Sequence, residues 1–62
     1  MQVFEGDILQ SRTSDEVALV VEVSPRDWGR ETKLLQFGDD GPFIASYGDD
    51  WGLESEWQPT DE

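Results

Sequence analysis

The sequence predicts an all-β domain, five short strands curled into one small barrel, and three observations carry that prediction. From Glu16 to Ser24 the chain reads Glu-Val-Ala-Leu-Val-Val-Glu-Val-Ser, with Val17, Leu19, Val21 and Val23 at two-residue intervals. That period sends alternate side chains to one face of a strand, and β-branched residues favour a pleated surface over a helix. Turn signals rich in glycine, aspartate and proline then recur along the chain, cutting it into strand-length pieces. Finally, 62 residues make one domain with room for one thin core.

The elements follow in order. Gly6-Asp7 is a turn signal ahead of a first strand from about Asp7 to Arg12. Arg12-Thr13-Ser14-Asp15 is a polar connection into the central strand, Glu16 to Ser24. The face bearing Val17, Leu19, Val21 and Val23 is expected to be buried, and the face bearing Ala18 and Val20 half covered. Pro25, which has no ladder N–H, is expected to end that strand and open a loop to Glu31 containing Trp28-Gly29 between Arg26 and Arg30. Thr32 to Phe37 is the third strand, with Leu34 and Leu35 on opposite faces. Gly38-Asp39-Asp40-Gly41 is a hairpin turn into the fourth, Phe43 to Tyr47. Gly48-Asp49-Asp50 turns the chain again and delivers Trp51. Leu53-Glu54-Ser55-Glu56 is predicted as one helical turn, Trp57 opens a short last strand, and Thr60-Asp61-Glu62 is expected to fray. The expected core is Phe4, Phe37, Phe43 and Trp57 with Leu19, Val21, Leu34 and Leu53.

Gly6-Asp7-Ile8 before the first strand, the Val17 to Val23 strand, and the Trp51 to Trp57 stretch with its one-turn element before a closing strand together resemble the small SH3-like barrels, a group that includes the KOW and Tudor modules. The likeness covers most of the chain. It implies a five-stranded barrel with one helical turn before the last strand. Single-domain barrels of this length are common among phage-encoded proteins, so the resemblance also implies a virus-encoded protein acting in the host cytoplasm. KOW modules usually carry a glycine inside the second strand and a basic binding face. Here Ala18 or a neighbour stands in that place and the chain is acidic, so RNA binding does not carry over.

Fifteen acidic residues face four basic ones, a net charge of −11. A chain of this length folds to a radius of about 11 Å, so these charges lie within one or two screening lengths of about 8 Å and repel one another. The surface disfavours nucleic-acid backbones and anionic lipid, since no cationic cluster exists to neutralise phosphate. Arg12, Arg26, Arg30 and Lys33 all precede residue 34, while residues 38 to 62 carry eight acids and no base. No apolar run approaches the roughly 18 residues of a membrane span, and Met1 to Gln10 lacks the basic start and apolar stretch of a signal peptide. We expect a soluble cytoplasmic protein.

Catalysis is not expected from the residue chemistry. Without histidine or cysteine, only serine, threonine and Lys33 are left as nucleophiles, and nothing nearby would activate them. Gly-Asp-Asp occurs twice, at Gly38-Asp39-Asp40 and Gly48-Asp49-Asp50, and paired aspartates can hold divalent metal ions. The two pairs flank one short strand, which sets them roughly 17 Å apart at about 3.3 Å per residue, too far to share an ion. We read them as hairpin turns, and neither a metal nor a cofactor is expected.

Binding residues are expected among the aromatics. Trp28 is a lid over the barrel end or an exposed anchor with Arg26 and Arg30 beside it, since tryptophan and arginine dominate interface hot spots. Tyr47 and Trp51, with Asp49 and Asp50 alongside, could form a cage for a methylated cation of the kind Tudor-like barrels use. The expected function is a non-catalytic accessory module. Its partner would be a protein with a basic surface, or a second copy through strand edges. The alternative is a nucleic-acid mimic that presents carboxylates where phosphates would be and so blocks a DNA- or RNA-binding protein. A third reading takes the acidity as adaptation to a saline environment.

Overall fold

The computed structural model describes residues 2–60. It contains β1 (Ile8–Ser11), β2 (Val17–Arg26), β3 (Gly29–Gly38), β4 (Gly41–Tyr47), the helix α1 (Asp50–Glu56) and β5 (Trp57–Pro59). All neighbouring strands are antiparallel in one sheet of order β4-β3-β2-β1-β5, so β4 and β5 are its edges. Among the described residues no helix is long and apolar enough to cross a membrane.

The expected loop from Pro25 to Glu31 is instead the end of a long hairpin. Pro25 stays within β2 opposite Arg30, and Arg26 pairs with Gly29 across a two-residue tip, Asp27-Trp28. Proline is tolerated there because β1 pairs with β2 only over Val17–Leu19, so the other side of β2 at Pro25 has no strand to receive an N–H. The β3–β4 hairpin closes in the same way, Gly38 against Gly41 across Asp39-Asp40. Each tip is followed by a glycine with positive φ, Gly29 at 140° and Gly41 at 117°, angles that side-chain-bearing residues rarely adopt. At Gly38 a Cβ would sit 3.1 Å from the Phe43 ring, so the ring would have to give by a few tenths of an ångström.

The expected core is corrected on three counts. The buried residues are Val3, Leu9, Ala18, Val20, Thr32, Leu34, Leu53 and Trp57. On β2 the inner face is therefore that of Ala18 and Val20. Val17, Leu19 and Val21 do share a face, but it is the outer one, with Val17 exposed and the other two half-buried. A bulge then changes the parity. Val20 pairs with Leu34, and the next pair is Glu22 with Lys33, which leaves Val21 as the extra residue. Val23 thereby turns inward, opposite the buried Thr32 and against the core.

Phe4, Phe37 and Phe43 are exposed, Phe43 the least so at 48%. At the amino end a tight turn takes the space Phe4 was assigned: Phe4 N donates to Asp7 Oδ2 at 2.9 Å and Asp7 N to Phe4 O at 3.0 Å, with Gly6 at φ 97°. Gly6 N then reaches Val20 O at 2.8 Å, and Val3 enters the core in place of its neighbour. Phe37 follows Leu35 on the outer face, because Leu34 occupies the inner one.

α1 is longer than the single turn predicted. Asp49 caps it, its Oδ1 accepting from Gly52 N at 2.7 Å, which satisfies one of the free N–H groups of the first turn. Seven residues are too few for a helix stable on its own, so α1 holds by docking Leu53, which is fully buried, onto the inner face. Burying a leucine contributes about 1.5–3 kcal/mol. At the carboxyl end Thr60 is tied down, its Oγ1 donating to Ile8 O at 3.0 Å. Asp61 and Glu62, also expected to fray, lie outside the described residues.

Candidate partner-binding site

Two segments meet at one end of the sheet: the β2–β3 tip and the junction of β4 with α1. The tip is held across to the junction by Trp28 Nε1, which donates to Gly48 O at 2.6 Å. Behind it Arg30 lies on the inner face, two residues before the buried Thr32. Its Nη2 meets Asp50 Oδ2 at 3.0 Å, with both side chains partly shielded. Shielding raises the value of such a pair over a fully exposed one, which contributes about 0–1 kcal/mol. Asp50 Oδ1 is buried and has no hydrogen-bond partner among the described residues, so the Arg30 contact through Oδ2 helps offset that carboxylate's desolvation.

These contacts fix the backbone while leaving the large rings outside. Trp28 is 67% exposed and Trp51, on the first turn of α1, 81% exposed. Trp28 is thus tied by its ring nitrogen and open over its apolar surface, neither a buried lid nor a free loop residue. Asp49 is committed to capping α1 and Asp50 to Arg30.

Arg26 and Tyr47 depart from this group. Arg26 lies on the outer face, its Nη2 2.6 Å from Glu31 Oε1. Tyr47 is half-buried against the core. Its hydroxyl donates to Glu56 Oε1 at 3.0 Å and accepts from Trp57 Nε1 at 3.0 Å. A ring so placed is a strut under α1, which leaves Trp51 without it as the second wall of a cation cage. The paired aspartates of the two Gly-Asp-Asp segments sit beyond opposite ends of β4.

Glu31 is held below the ordinary carboxylate range. The Ser46 hydroxyl donates to its Oε2 at 2.8 Å and the Arg26 guanidinium to its Oε1 at 3.1 and 2.6 Å, and both favour the ionised form. An open cleft of about 340 Å³ lies where the amino-terminal segment passes β1 and Pro59; Asp7 is its only titratable side chain among the described residues.

Sequence reasoning missed a second surface, the outer face of the sheet, where Ile8, Val17, Phe37 and Ile44 are exposed around the half-buried Leu19 and Leu35. Its signal was available in the apolar residues on both parities of β2 and β3, more than one thin core can hide. No protein-family model, curated protein or solved structure matches the chain.

Proposed function

We propose that this chain is a non-catalytic protein-binding module of SH3-like kind, and that it engages a basic protein surface through the end carrying Trp28, Arg30, Asp49, Asp50 and Trp51. The likeness to an SH3-like barrel is supported by the strand order with a short helix before the last strand. The observation that carries the binding role is the pair of exposed tryptophans on segments fastened to each other. Tryptophan on a preorganised backbone offers large apolar area with little ordering entropy to lose on binding. A net charge of −11 steers a basic partner toward it. The non-catalytic reading rests on a chain with no histidine or cysteine.

The test is selection of displayed peptides on the immobilised chain, followed by titration of the winners through tryptophan fluorescence. Lysine- and arginine-rich peptides should be enriched, and their binding should weaken with salt and with Trp28→Ala or Trp51→Ala. Selection without basic enrichment, or binding indifferent to both substitutions, removes this function from this surface.

A further inference from the structure

We infer that the outer face of the sheet is a self-association surface that takes a second copy of this chain, face against face. The register builds one apolar row across four strands: Ile8 opposite Leu19, Leu19 opposite Leu35, Leu35 opposite Ile44. Val17 and Phe37, two residues further along β2 and β3, extend it, and Phe37 pairs with Pro42. In that row Ile8 is 52%, Phe37 58% and Ile44 55% exposed. Contiguous apolar area of this kind is unusual on a chain that works alone.

Charge identifies the occupant. Along β2 and β3 the charged residues of this face are Glu22, Arg26, Glu31 and Lys33, and they cancel as two pairs, Arg26–Glu31 at 2.6 Å and Lys33–Glu22 at 3.6 Å. Because these four sum to zero, the net charge of −11 is carried by the rest of the sequence. A basic partner would find nothing to neutralise here. Two copies that each carry −11 can approach with least repulsion through this neutral face, with their acids turned outward. Size permits it. β2 and β3 are ten residues long, β4 seven, β1 four and β5 three, so at about 3.3 Å per residue and about 4.8 Å per strand the face outlines roughly 540 Å² per copy, close to the roughly 500 Å² a side that a specific interface needs. Aligned packing of two twisted sheets is a common way to bury such faces.

Sedimentation equilibrium on the purified chain tests this. The expected mass is twice that of a single chain, with association tightening as salt screens the outward charges. Ile8→Glu and Phe37→Glu alter side chains already more than half exposed, so the circular dichroism spectrum should be unchanged. Each should weaken association more than about tenfold by placing a carboxylate in the apolar row. Both positions lie on strands with neighbours on each side, so pairing through the β4 or β5 edges would survive them. Trp51→Ala should leave the doubled mass intact. A single-chain mass throughout, a doubled mass indifferent to both glutamates, or dissociation by Trp51→Ala would each overturn the assignment.

Discussion

Trp57 Nε1 donates to the Tyr47 hydroxyl at 3.0 Å, which joins the first residue of β5 to the last residue of β4, strands at opposite edges of the sheet. The hydroxyl in turn donates a hydrogen bond to Glu56 Oε1 at 3.0 Å, so one phenol ties together both edges and the end of α1. Tyr47→Phe keeps the ring and leaves the N–H of a buried tryptophan unpaired. The expected cost is about 1–3 kcal/mol, which denaturant titration will register. A loss below a few tenths would mean that water replaces the phenol at no penalty.

The bulge at Val21 makes a sharper claim about β2. Val20→Ala should cost about 2–3 kcal/mol, since it opens a hole among Leu9, Leu34 and Leu53. Leu19→Ala and Val21→Ala should cost about 1 kcal/mol or less in the single chain, because both are half-exposed on the outer face. Reversal of that order in denaturant midpoints would restore the face that simple alternation favours.

That reversal marks where the sequence stops being informative. The five strands and the Gly38–Gly41 turn were legible, because glycine and aspartate act through local backbone geometry, whereas the β2–β3 tip at Asp27-Trp28 was expected as a longer loop. The side that faces inward was not legible. β2 carries apolar residues on both parities and β3 carries Leu34 beside Leu35, so the choice rests on where α1 and the amino-terminal turn land, and both are non-local. The bulge has no glycine to announce it. At the candidate site the sequence left Trp28 as either a lid or an exposed anchor, and the ring is tied at its nitrogen yet 67% exposed. Its bond to Gly48 and the Arg30–Asp50 pair each join residues 20 apart, which spacing alone could not reveal.

Asp49 is a capping residue more than a recognition residue. Asp49→Ala should cost about 0.5–2 kcal/mol, the usual range for a lost N-cap. It should also loosen the turn that carries Trp51. Faster amide exchange at Gly52 and Leu53 is the direct readout; unchanged exchange would make the cap dispensable.

Glu31 sets a pH dependence of known sign. Its folded pKa lies below the unfolded one, through the Ser46 and Arg26 hydrogen bonds, so the stability it contributes is present above the unfolded value near 4.5 and is lost as pH falls through the folded value. Glu31→Gln should therefore melt below the wild type at neutral pH, and the two curves should converge in acid. A gap that persists at low pH would show that carboxylate ionisation is not its origin.

Salt has two opposed effects on this fold, and their sizes decide the outcome. The exposed ion pairs Arg26–Glu31 and Lys33–Glu22, which contribute about 0–1 kcal/mol each, and the better shielded Arg30–Asp50 all weaken as ions screen them. Against them stand eleven uncompensated negative charges in a molecule whose radius of gyration is 11.1 Å, so most like-charge pairs fall within about two screening lengths at physiological salt. Repulsion prevails, and Tm should rise by several degrees between low and high salt, since about 1 kcal/mol moves Tm by about 4–8 °C in a domain this small. The rise should shrink in acid, where protonated carboxylates no longer repel, and at Ile8→Glu it should persist if it comes from repulsion within each chain and not from association. Heating scans at two salt concentrations and two pH values decide it, and a Tm that falls with salt at neutral pH would mean that the ion pairs outweigh the repulsion.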